Sequence, residues 1–162
     1  GAFEFAGPHF HPGQAIVVTP MAAQPLAHGE LAQWADISRH HARQAIGFYN
    51  AHPVAMRLLF GPESGWHIRA SDLDSASRIG AIYCRKLVQH FYVAHSPALE
   101  RAFSHSVVIS DALWSLSFAK LGRIEPEMAN EALRARLAYL RLYVGEFVEK
   151  RPAALDAQEA CS

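Results

Sequence analysis

Cysteine is scarce in this chain, neither charge is in excess, and no long apolar run occurs; each shortage removes a class of protein. Two cysteines, Cys84 within a helical pattern and Cys161 near the end, cannot make a disulfide framework and show no metal-ligand spacing, so a reducing cytoplasm is expected. Lys plus Arg and Asp plus Glu both total 15, which argues against a surface built to grip phosphates or anionic lipid. No apolar run of 18 residues and no charged-then-apolar leader is found, so neither a membrane span nor a signal peptide is expected. A Gly-x-Ser-x-Gly elbow, a phosphate-cradling glycine loop, His-Glu-x-x-His and Cys-x-x-Cys are all missing. The chain therefore reads as a non-enzyme, with no catalytic residue and no cofactor.

What is present is hydrophobic and helical. At 162 residues, 51% of them hydrophobic, the chain is long enough to close one core unaided. Residues 1–29 carry four of the nine prolines, no Lys or Arg and one acid, Glu4, and read as an irregular arm with one short β-like run from Gln14 to Pro20. From Glu30 the period changes. Leu31, Trp34, Ser38, Ala42, Ala45 and Tyr49 step by three or four, predicting a helix that ends before Pro53. "PVAMRLLF" predicts a short helix with Pro53 at its first position, and "GPESGWHIRAS" a loop. Ser71 with Asp74 gives a capping pattern for a third helix, whose stripe runs through Leu73, Ala76, Gly80, Tyr83, Leu87 and Phe91. Ser96-Pro97 starts a fourth, closed by Gly122, and Pro126 starts a fifth that should reach about Lys150. The expected fold is all-α, a bundle or array of about five helices over residues 30–150, followed by a flexible tail at 151–162.

The last two helices are more apolar than one subunit requires. Val107 to Leu121 is apolar nearly all round. The fifth helix carries two rows, one through Leu133, Leu137, Leu140, Val144 and Phe147, the other through Ala135, Ala138, Tyr139, Leu142 and Tyr143. Leaving one row in water forgoes about 1.5–3 kcal/mol for each large side chain. A homodimer would hide it, with Val108, Leu113, Leu116, Leu137, Leu140, Val144 and Phe147 at the interface. Coverage by the arm or by a further domain is the plainer reading of the same surplus.

At these residues the pattern becomes familiar. "SDALWSLSFAKLGRIEPEMANEALRARLAYLRLYVG" resembles the last two helices of TetR-family transcriptional regulators, and "GFYNAHPVAMRLLFGP" resembles an earlier segment of that family. The resemblance spans roughly residues 30–150. It implies an all-helical regulatory domain that pairs through its final two helices and binds a small hydrophobic effector in a cavity among the others. The family reads operator DNA through a helix-turn-helix preceding this region. Residues 1–29 offer no such motif and no basic residue, so this chain is not expected to hold DNA itself.

The residues placed to line such a cavity are Trp34, His41, Phe48, Trp66, Tyr83, Leu87, His90, Phe91, Trp114 and Phe118, all of which also read as ordinary core fillers. His40 and His41 diverge by about 100° on a helix, so one should face the core and one the solvent. His90 reads as a core histidine satisfied by a carbonyl. Trp66 and His67 sit in the expected loop, where they could overlie a cavity mouth. His9 and His11 in "PHFHPG" resemble a cupin's His-x-His, but a cupin needs strands this sequence does not promise, and no metal site is expected. Two other readings stand beside the regulator: an α-helical protein-interaction domain without a ligand, and a His-rich metal or heme protein.

Overall fold

The computed structural model describes residues 21–61 and 66–153, with side chains at all of these except 66–72. The described residues are mostly helical, with no strand. After a single 3-10 turn at His28–Glu30 come α1 (Ala35–Ala51), α2 (Pro53–Phe60), α3 (Trp66–His90), α4 (Pro97–Leu121) and α5 (Pro126–Leu140). The architecture is the all-α bundle expected. No helix among the described residues is long and apolar enough to cross a membrane.

Local chemistry sets most of the boundaries. Pro53, Pro97 and Pro126 each open a helix, where a missing N–H costs nothing. Ser96 accepts a hydrogen bond from the Leu99 amide at 3.1 Å and caps α4. Gly122 ends α4 with φ +69°, a left-handed conformation that glycine adopts without penalty. Asp36 gathers the Ala32 and Gln33 amides ahead of α1, both at 2.9 Å, and pairs with Arg39. Burial raises its pKa, but these bonds win and its carboxyl stays below the ordinary range.

Three boundaries differ from expectation. α1 begins at Ala35, not Glu30, because the chain first makes the 3-10 turn. α3 begins at Trp66, so Ser71 and Asp74 lie inside the helix; Asp74 pairs with Arg78 one turn on instead of capping. α5 stops at Leu140, ten residues before Lys150. Its apolar period continues through Phe147, but the chain turns at 141–144 and runs back to α3, where Phe91 and Lys150 form an isolated antiparallel bridge. Arg151 donates to the Val88 and Phe91 carbonyls at the α3 C-terminus, both at 3.0 Å. A cation there satisfies carbonyls the helix leaves open.

α3 and α4 cross closely at Gly80, and α5 packs on α4 and on α1. The core holds Ile37, Tyr83, Leu87, Phe91, Phe103 and Trp114 among its larger side chains. The residues before α1 contribute too: Ala22, Leu26 and Leu31 are buried, and Lys86 donates to the Ala22 and Gln24 carbonyls. The strand-like run at 14–20 and the His9 and His11 pair lie outside the described residues.

Candidate functional site

A set of polar groups is buried at the centre of the bundle. His41 comes from the inner face of α1, one turn after Ile37 and one before Ala45, both buried. Tyr83 comes from α3, Asp111 and Trp114 from α4, and Arg136 from α5. Arg136 is 0% exposed, which is rare for a guanidinium. It lies midway along a buried row, four residues from Ala132 and four from Leu140, so helical geometry turns it inward whatever its charge.

Arg136 Nη1 donates to His41 Nδ1 at 2.8 Å. The guanidinium lies 5.5 Å from the centre of the Tyr83 ring, and the His41 and Tyr83 rings are 4.6 Å apart. Burial, with the positive charges of Arg136 and Lys86 nearby, holds His41 well below its ordinary pKa, so it is neutral. Burial also lowers Arg136, opposed by Tyr83 and Asp111, yet an arginine remains charged under any ordinary condition. Burial raises the Tyr83 phenol and keeps it protonated.

These bonds fix a tautomer. An arginine can only donate, so His41 Nδ1 must accept, and the single proton of the neutral ring sits on Nε2. That Nε2–H is buried with no hydrogen-bond partner among the described residues, as are Trp114 Nε1–H, Arg136 Nε–H and Arg136 Nη2–H. The Tyr83 and Ser38 hydroxyls are in the same state. Each such group forfeits about 1–3 kcal/mol, and a charged one more. Among the described residues the core thus holds four idle N–H groups and two idle hydroxyls, which can accept as well as donate.

His41 and Trp114 also line a small cavity of about 20 Å³, with Tyr49, Ile79, Val107 and Asp111 among the other described residues around it. That is room for one water and no more. Arg136 reaches this cavity through His41. A larger groove of about 680 Å³ runs over the surface between α1 and the start of α5, past Arg39, Arg43, Asn50 and Arg123. Asp36 and Glu125 already pair with two of those arginines, and none of the orphaned donors lies in it.

Of the residues expected to line a cavity, His41 and Trp114 do so, and Tyr83 packs against His41 without lining it. Leu87 and Phe91 are buried in the core, and Trp34 is buried just before α1, but none of them lines the cavity. Phe48 and Phe118 are half-buried, the Phe48 ring stacked on His52. Trp66 is helical, and its side chain lies outside those described. His90 is buried, but it meets His28 Nδ1 at 3.1 Å through its own Nδ1 in place of a carbonyl. His41 faces the core and His40 is half-exposed, as their divergence requires.

Arg136 and Asp111 were not anticipated. The signal was available: Ala132, Arg136 and Leu140 form an inward row, and Asp111 lies between Val107 and Trp114 on another. The expected interface residues divide. Leu137, Leu140 and Val144 are enclosed in their own subunit's core, because α5 turns this row toward α4 and α1, so they offer no face to a second copy. Val108 and Leu113 are half-buried, while Leu116 and Phe147 are 51% and 94% exposed. The second row of α5 is the outward one, and exposed Leu142 and Tyr143 follow it in the turn beyond the helix.

No match to this chain is found among protein-family profiles, curated proteins or solved structures.

Proposed function

We propose that this chain is the effector-binding and self-associating domain of a TetR-like transcriptional regulator, acting on operator DNA through a helix-turn-helix not contained in these residues. The observation that carries the reading is the group of unsatisfied donors at the meeting point of α1, α3, α4 and α5. A domain with only a structural task gains by filling that point with apolar side chains. A site that awaits a ligand keeps its polar groups unpaired until the ligand arrives, at a cost in stability.

Self-association draws its support from the outer side of α4 and α5. His105 and Tyr139 share a hydrogen bond of 3.0 Å across the two helices. Ala112 and Leu116 continue the His105 face of α4 at helical spacing, and Tyr143 follows Tyr139 on the other side. This replaces the interface residues enclosed in the core by Leu116, Tyr139, Leu142 and Tyr143. Sedimentation at low micromolar concentration should give a dimer, and Leu116→Asp combined with Tyr143→Asp a monomer. A wild-type monomer there removes the self-association half. Thermal-shift screening with small hydrophobic compounds tests the other half, because a ligand of the folded state raises stability by mass action.

The smallness of the cavity favours a second reading, a helical protein-interaction domain that uses the same outer face and takes no ligand. It expects heteromeric partners and no response to any small molecule.

A further inference from the structure

The segment ahead of α1 is fastened to the bundle at one corner, and a pair of histidines stands at the centre of the fastening. His28, half-buried in the 3-10 turn, meets buried His90 at the end of α3, Nδ1 to Nδ1 at 3.1 Å, with the ring centres 5.3 Å apart. One Nδ1 must donate and the other accept, so at most one of the two rings can be charged while the bond lasts. The other ties at this corner come from lysines. Lys150, in the segment after α5, donates to the His28 carbonyl at 2.7 Å, and Lys86 on α3 donates to the Ala22 and Gln24 carbonyls at 2.5 and 2.6 Å. Arg151 lies on the Val88 and Phe91 carbonyls beside them. From α1 comes His40. Glu30, the carboxylate of the turn itself, accepts from the Ala27 amide and acts on His40, while Glu149 is exposed.

We propose that residues 21–31 form a strap latched to α3 by the His28–His90 pair, and that mild acid opens the latch when the second ring takes its proton. This goes beyond effector binding and does not depend on it. The first proton leaves the bond intact, since a charged ring still donates to a neutral one. The second sets two N–H groups and two charges face to face in a corner that already holds Lys86 and Lys150, with no carboxylate bonded to either ring among the described residues. Burial, then the charges of His28, Lys150 and Lys86, hold His90 below its ordinary value, as a docked pair that resists the second proton requires. Once undocked, each histidine takes its proton at about pH 6.5. The docked strap thus binds one proton fewer than the open one, so its docking is fully present above about pH 6.5 and weakens about tenfold for each unit below. Opening brings Ala22, Leu26 and Leu31, all buried in the docked strap, toward water.

Native-state hydrogen exchange on the whole chain tests this, read at the Glu30 and Leu31 amides, which bond within the strap, and at α4 as the reference for global opening. Rates are divided by those of an unfolded chain at the same pH. Between pH 7.5 and 5.5 the opening of Glu30 and Leu31 should rise about tenfold while α4 keeps its protection relative to them. His28→Gln, whose amide oxygen can accept from a charged His90, should fold and keep the strap docked at pH 5.5. Imidazole nitrogen shifts of the wild type give a second measurement that needs no variant: one of the two rings should carry its proton on Nδ1 at pH 7.5, and both should become charged only in the range where the strap opens. Equal protection at the two pH values overturns the latch. A rise of the same factor in the strap and in α4 is global unfolding and overturns it too, as does a His28→Gln chain that opens with pH as the wild type does. Two charged rings in a strap that is still protected, or two rings with their protons on Nε2 at pH 7.5, refute the shared bond itself.

Discussion

Glycine at two helical positions separates packing from propensity, and the same substitution should act with opposite sign at each. Gly80 lies on α3 where it crosses α4. A Cβ built there would stand 2.4 Å from the Ser104 amide nitrogen and 2.5 Å from its Cα, against an ordinary carbon contact of about 3.5–4.0 Å. The obstacle is backbone, so rotating a side chain cannot relieve it. The Ser104 hydroxyl is itself held by the Ser77 and Glu100 carbonyls. The two helices must therefore separate by about 1 Å, which loosens Ala76 and Tyr83 against α4 and forfeits a quarter to a half of each close contact between them. Overpacking of this kind costs about 1–3 kcal/mol or more, against roughly 1 kcal/mol gained in helix propensity by Gly→Ala. Gly80→Ala should lose about 2 kcal/mol net, lowering the melting temperature by about 4–8 °C in a domain of this size. Gly47 on α1 has nothing within 4 Å of its Cβ position, and Gly47→Ala should gain about 0.5–1 kcal/mol from propensity alone. Urea unfolding followed by circular dichroism reads both. If Gly80→Ala melts at or above the wild type, the close crossing of α3 and α4 is wrong.

Three further outcomes follow from individual side chains. His41 is neutral in the folded chain but takes a proton near pH 6.5 when unfolded, so its stability is fully present above that pH and lost as pH falls, by at most about 1.4 kcal/mol per unit. His40 and His90, also lowered by burial, add to the same window; His41→Gln, whose amide oxygen can accept from Arg136, should flatten the wild-type slope between pH 6.5 and 5, and equal slopes would count against a buried neutral His41. Asn50 ties α1 to the turn before α5, donating to the Ile124 carbonyl at 3.0 Å and accepting from its amide at 2.9 Å, so Asn50→Ala should cost about 1–3 kcal/mol in urea unfolding. Burial, with the charge of Glu100 adding and Arg85 opposing, pushes the Cys84 thiol to about 11, so alkylation at pH 8 should stay slow until urea unfolds the chain; prompt labelling of Cys84 in the native state would contradict its position.

Most of the helices were legible because their causes are local. Three prolines at first helical positions, the Ser96 cap and the left-handed Gly122 act within four residues, and periodicity shows which face of a helix turns inward. The end of α5 was not legible, because the apolar period runs on through Phe147 while the backbone turns at 141–144. Past that turn the chain is held by the α3 C-terminus, about sixty positions away in sequence, whose carbonyls accept from Arg151. Leu137, Leu140 and Val144 were expected on an outer face for a related reason: two apolar rows on one helix are equivalent until the neighbouring helices are placed. Arg136 was hidden by its charge. A guanidinium is solvated by default, and only its position between Ala132 and Leu140 marks it as buried. Its partner His41 is 95 positions earlier, and no local pattern pairs them.

Arg136 and the outward row share α5, and this bears on how a signal would travel. A ligand drawn to the core beside Arg136 would pull on the helix that carries Tyr139 on its outer side, with Leu116 on α4 and Tyr143 in the turn after α5. The core is close-packed around Arg136, with about 20 Å³ of space nearby, so α5 cannot accept a ligand without shifting against α1 or α4. Were both to occur, binding and association would be linked, and linkage is reciprocal: if pairing of two chains tightens ligand binding fivefold, saturating ligand tightens pairing by the same factor per site. Sedimentation with and without a compound that stabilises the fold measures one side, and calorimetry on the Leu116→Asp, Tyr143→Asp chain the other. Unequal factors are thermodynamically impossible for a single linked equilibrium. Two factors of one would mean that α5 does not move, and that the buried arginine and the outer face serve separate ends.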